Sequence, residues 1–207
     1  MAYPQEWKNF WDWQKENEAY NLDALPHGVT QGSISVFGSK YHLATSFEGI
    51  LAREYKMDET VDAYSAVLKV FLAFSALESF CRSTCPELRR QYEIESWAFE
   101  KFPSVVSGPA QTLRESERVV SFLTKNVGKE LKKRLNSFSA GNTDNCMHVA
   151  AAIRHAVAHG FISIRPYGTS AIASVDFCEH LSAMLIGVAD EAFTAFMYNL
   201  PKCVEVS

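Results

Sequence analysis

From about Asp58 the apolar positions of the chain fall into helical register. Val61, Tyr64, Leu68 and Phe71 recur at spacings of three and four, and Val67, Val70, Phe74 and Leu77 form an adjoining stripe. The pattern predicts a broad-faced core helix. Pro86 interrupts it after Cys85 and fits an early position of a second helix, running through Tyr92 and Trp97 towards Phe102-Pro103. After the turn Ser107-Gly108-Pro109, residues 110 to 138 read as one further helix. Thr143 or Asp144 is placed to cap another, which Gly160 stops. Phe161-Ile162-Ser163-Ile164, the turn-like Arg165-Pro166-Tyr167-Gly168 and Thr169 to Val175 predict a small β-hairpin, and a last helix is expected from about Asp176 to Asn199.

The first 57 residues read differently. Trp7, Phe10 and Trp11 at helical spacing predict a short amphipathic helix that docks on the core or on a partner subunit. Between Gly32 and Gly38 the run Ser33-Ile34-Ser35-Val36-Phe37 alternates, so residues 26 to 49 are expected to be a short strand or irregular linker. The expectation is therefore an all-α fold: an aromatic arm and linker over 1–57 packed on an antiparallel helical bundle over 58–207, with a hairpin after its penultimate helix.

Composition narrows the function classes. The 207 residues are 47% hydrophobic and 21% charged, enough to bury one core. A net charge of −4 argues against coating nucleic acid by bulk charge, though not against a local basic patch. The start has no basic segment followed by an apolar one, and Val61–Phe80 and Leu181–Leu200 carry charged residues, so a cytoplasmic protein without a membrane partner is expected. Five cysteines without a Cys-x-x-Cys pair suggest buried free thiols. Phosphate-loop and nucleophile-elbow motifs are lacking.

The densest chemistry lies in Ala150-Ala151-Ala152-Ile153-Arg154-His155-Ala156-Val157-Ala158-His159-Gly160. Projected at about 100° per residue, Cys146, Ala150, Ile153 and Val157 share an apolar side, while His148, Ala151, Arg154, His155, Ala158 and His159 spread over the other. Small alanines admit a second helix. Arginine clamps phosphate, and histidine moves protons near neutral pH. A plainer role is also open, in which Arg154 and His159 serve the negative end of the helix. Glu78, in an apolar stretch, needs a partner, either Arg154 across the bundle or Arg82 one turn away.

Arg154, four intervening residues and His159, with polar His155 directly after the arginine and Gly160 behind, resemble the Arg-x(4 to 6)-His motif of the HEPN family. Phe74-Ser75-Ala76-Leu77-Glu78-Ser79-Phe80 resembles a long helix of such domains in which an acidic residue faces the motif helix. The resemblance spans roughly residues 58 to 200. It implies a HEPN-like bundle and a metal-independent endoribonuclease that acts as a homodimer, with RNA as substrate. Arg154 and His159 would be catalytic and His155 and Glu78 supporting; no cofactor is implied. Many relatives act in bacterial defence or toxin–antitoxin systems, which makes an antitoxin or regulatory protein a further expected partner. Other relatives are non-catalytic RNA-binding or protein-interaction modules, the alternative function. Phe161 stands where some HEPN toxins carry a modifiable tyrosine, so neutralisation by that route is not expected there, although Tyr167 lies nearby.

Two further features bear on this reading. The basic run from Lys125 to Arg134 could track an RNA backbone through Lys129, Lys132, Lys133 and Arg134, or be a solvated helix face. His148, His155 and His159 line one helix side and invite a metal reading. Only Asp144 is at hand as a carboxylate, however, and one straight helix wraps poorly around a single ion, so no metal is expected.

Overall fold

The computed structural model describes residues 3–19, 25–26, 28–51, 58–160 and 170–200. Among them every regular element is a helix, so the fold is all-α. The helices are α1 (Trp7–Ala19), α2 (Gln31–Ser46), α3 (Asp58–Thr84), α4 (Gln91–Lys101), α5 (Pro103–Ser107), α6 (Ala110–Glu115), α7 (Glu117–Lys125), α8 (Lys129–Ser139), α9 (Met147–Ala158) and α10 (Ala171–Tyr198).

The long apolar helices α3 and α10 form the centre. Phe80 near the end of α3 meets Phe193 and Phe196 near the end of α10, while Ala66 and Lys69 share a groove with Ala171, Val175 and Glu179 at the other end. The central pair is therefore parallel. Helix α2 runs against α3, as its early Phe37 meets Phe80 and its late Ala44 and Thr45 lie beside Lys69. Both central helices are long and apolar enough to cross a membrane; about half of the apolar window of each is buried inside the fold, 44% in α3 and 50% in α10. The antiparallel order expected for the whole bundle fails at α3 and α10 because α4 to α9 carry the chain back between them.

Several boundaries differ from those expected. The stretch read as strand or linker is helix α2, because Ile34, Phe37, Tyr41 and Ala44 are buried at helical spacing. Thr30 caps it reciprocally: its hydroxyl accepts from the Ser33 N–H at 3.1 Å, and the Ser33 hydroxyl accepts from the Thr30 N–H at 3.2 Å. Gly38 lets the Trp7 indole lie against the α2 backbone, where a Cβ would overlap the ring.

Helix α4 starts after Arg90 rather than at Pro86, with the Glu93 carboxylate accepting from the Arg90 N–H at 2.7 Å. The single helix expected over 110 to 138 is three, broken at Ser116 and at Asn126-Val127-Gly128, where the Asn126 side chain donates to the Phe122 carbonyl at 2.7 Å. Helix α10 begins five residues before Asp176. The Ser170 hydroxyl accepts from the Ala173 N–H at 3.1 Å, so Ala171–Val175 is a helical turn and not the second hairpin strand. The remainder of the expected hairpin lies outside the described residues, as do Phe161 and Tyr167.

Helix α1 docks through Phe10, which is fully buried against Phe193, with Trp7 packed beside it. Asp190 of α10 holds the entry to α1, accepting from the Gln5 N–H at 2.7 Å. Tyr41 also donates to Asp190, and burial together with that carboxylate pushes the phenol well above its ordinary range. The core is continuous from Phe10 to Leu200.

Candidate functional site

Helix α9 enters the fold rather than lying along its surface. Met147 to Ile153 are all buried, because α3, α4, α7 and α8 surround this part of the helix. Ala151 and His148 thus belong to the interior. The contact face expected along the helix is confined to its last turn, where Arg154, His155 and Val157 are half-buried and Ala158 and His159 exposed. Neither Thr143 nor Asp144 caps the helix. The Asn145 amide oxygen accepts from the Met147 N–H at 3.0 Å, the Thr143 hydroxyl accepts from the Asn145 N–H at 3.2 Å, and Asp144 pairs with Arg114. Gly160 stops the helix at φ +86°, the left-handed conformation glycine tolerates.

Arg154 is held from below. Its Nη2 donates to both oxygens of Glu78, at 3.1 and 3.3 Å, and Arg82 Nη2 donates to Glu78 Oε1 at 2.6 Å. Both partners weighed for Glu78 are therefore engaged. Glu78 is only 14% exposed, so its two guanidiniums meet the need of a largely buried carboxylate for charge and hydrogen bonds.

His155 and His159 pack together, ring centroids 4.3 Å apart with planes at 52°. Burial, the neighbouring His159 and the Arg154 cation lower the His155 pKa from its ordinary 6.5. His155 is accordingly held neutral at pH 7. The arrangement places a fixed guanidinium, a neutral imidazole and an exposed imidazole on consecutive turns of one helix end, groups suited to binding an oxyanion and transferring a proton.

His148 belongs to a different cluster. Its Nδ1 lies 2.7 Å from an oxygen of fully buried Glu95, which Arg134 Nε approaches at 3.2 Å and the Gln91 amide reaches at 3.3 Å. The Asn145 amide donates to the Glu95 carbonyl at 3.3 Å. The structure therefore separates His148 from His155 and His159, which removes the metal reading of the three imidazoles. Among the described residues no group of histidine, cysteine and acidic side chains is placed to hold a metal.

The basic run is likewise divided. Arg134 turns inward to Glu95, and Lys133 pairs with Glu130 at 3.2 Å. Lys129 and Lys132 are exposed, Lys132 beside Lys125 and Arg114 in a polar groove between α7 and α8. The residues that sequence reasoning missed are Glu95, hidden among the ordinary helix polars of Gln91–Lys101, and Arg82 as an actual member of the Arg154 cluster. The described cysteines are free thiols, and burial raises the pKa of Cys81, Cys85, Cys146 and Cys178, that of Cys146 to about 12, which disfavours their thiolates.

Comparison with protein-family models, curated proteins and solved structures finds no significant match.

Proposed function

We propose that the chain is a metal-independent endoribonuclease of HEPN type that acts as a homodimer in the cytoplasm, in a defence or toxin–antitoxin setting. The observation that carries the reading is the Glu78-anchored Arg154 standing on the same exposed helix end as the His155–His159 pair. In this reading the ribose 2′-oxygen attacks the adjacent phosphorus as one imidazole takes its proton. The bond from phosphorus to the 5′-oxygen breaks as a second, protonated imidazole supplies a proton to the leaving oxygen. His159 of each copy fills one of these roles, Arg154 stabilises the charge that gathers on the phosphate, and neutral His155 orients the His159 ring. One copy supplies half of the groups.

Cleavage of RNA in the presence of excess chelator, leaving 2′,3′-cyclic phosphate ends, is the expected result. Cleavage that chelator abolishes contradicts the mechanism. Absence of cleavage of any RNA, with the dimer intact, favours the alternative, a non-catalytic interaction module.

A further inference from the structure

One carboxylate cannot neutralise two guanidiniums, and Glu78 carries two. Arg82 and Arg154 meet on the same oxygen, Glu78 Oε1, at 2.6 and 3.3 Å, so their Nη2 atoms lie within reach of one ligand chain. Both cations are permanent, so the cluster keeps a net positive charge at any accessible pH. Its members differ in exposure. Glu78 lies underneath, the Arg154 side chain is 31% exposed, and the Arg82 side chain is 61% exposed. A guanidinium has five N–H donors in a planar fork, and Arg82 spends Nη2 on Glu78, which leaves Nε and Nη1 as further donors on a largely exposed side chain. Arg82 also lies in the last turn of α3, whose negative end favours a cation there.

A structural role accounts for the contact with Glu78 but not for the second positive charge or the exposure of the Arg82 head. The Arg82 head is largely in solvent, which weakens its contribution to folding through Glu78 one helical turn away, and Glu78 keeps Arg154 as partner without Arg82. We propose that Arg82 is a second phosphate-binding residue: Arg82 and Arg154, spaced by Glu78, form a two-guanidinium clamp on neighbouring phosphates of a single RNA strand. The clamp rests on the ribonuclease reading for the identity of its ligand. Arg154 takes the scissile phosphate, and Arg82 takes the next one along the backbone and fixes the strand's register. Arg82 is thus a binding and positioning residue, not one that touches the reacting atoms.

The test measures binding of a single-stranded RNA by anisotropy over a range of salt concentrations. A His159→Ala parent serves, since the proposed proton-transfer group is gone and the RNA stays intact. Adding Arg82→Met should weaken binding on the order of tenfold at low salt, and reduce the slope of log affinity against log salt by about 0.7, the loss of one phosphate contact. Arg82→Lys should restore the slope while leaving affinity below the parent's, because a point charge replaces a fork. Melting temperatures should hardly move. A parent slope retained in Arg82→Met overturns the clamp; if the native chain still cleaves RNA, the ribonuclease reading survives it. No RNA binding by the parent overturns both. A reduced slope with no cleavage by the native chain supports the clamp and removes only the enzyme. Should Arg82→Met fail to fold, Arg82→Gln takes its place, with the same reduced slope expected and a retained parent slope again overturning the clamp.

Discussion

His148 and His159 stand on one helix, yet only His159 is open to a substrate. His148 is locked against fully buried Glu95 at 2.7 Å, so replacing it disturbs the core. His148→Ala should destabilise the fold by about 1–3 kcal/mol, the usual cost of leaving a buried acceptor without one partner. Glu95→Ala strands both His148 and the partly exposed Arg134 and should cost on the order of 3 kcal/mol. Urea unfolding of the two variants checks both figures. His155 gives a pH prediction. Its folded pKa lies below the ordinary 6.5 through burial, His159 and Arg154. Above pH 6.5 the group is neutral in folded and unfolded chains and its contribution is fully present. As pH falls below that value the unfolded chain takes up the proton first, and stability is lost until pH reaches the folded pKa. The melting temperature should therefore fall between pH 7 and pH 5.5, and His155→Gln should flatten that fall. An imidazole resonance of His155 titrating above 6.5 contradicts the assignment.

At the scale of elements, α2 shows what the sequence concealed. The alternation from Ser33 to Phe37 and the flanking glycines imitate a strand, whereas the buried set Ile34, Phe37, Tyr41 and Ala44 spans the whole helix and emerges only over a longer window. Gly32 opens the helix next to its cap, and Gly38 serves Trp7 rather than a turn. Gly38→Ala should push the Trp7 indole out of its seat, cost about 1–3 kcal/mol as overpacking does, and shift tryptophan emission to longer wavelength. Helix α3 was legible from its start at Asp58 because its apolar stripes run unbroken, and Gly160 was legible as a stop from backbone chemistry alone. Glu95 was not, since an acid among helix polars looks solvated until the helix that covers it is placed. The pairing of Glu78 with Arg154 could be suggested because a carboxylate in an apolar run demands a partner. Its sharing with Arg82 depends on how the late turns of α3 and α9 meet, which periodicity does not reveal.

For the whole molecule, the parallel central pair and the enclosed start of α9 bring the late parts of α3 and α9 together at the Glu78–Arg154 contact. That gathers Arg82, Arg154, His155 and His159 into one region while each sits on a rigid helix or its cap. A second copy docking through the exposed turn at Ala158 and His159 would complete the proposed site, so the active form is expected to sediment as a dimer, and dilution below the dimerisation constant should reduce cleavage faster than in proportion to protein. In the proposed enzyme Arg154 and His159 carry the chemistry. Single-turnover RNA cleavage by the native chain, Arg154→Ala and His159→Ala, each with its helicity checked, decides whether they do. The expected losses are about 10²- to 10³-fold for Arg154→Ala and about 10²- to 10⁴-fold for His159→Ala, with the fold intact. Native cleavage rates in both variants would remove Arg154 and His159 from the chemistry.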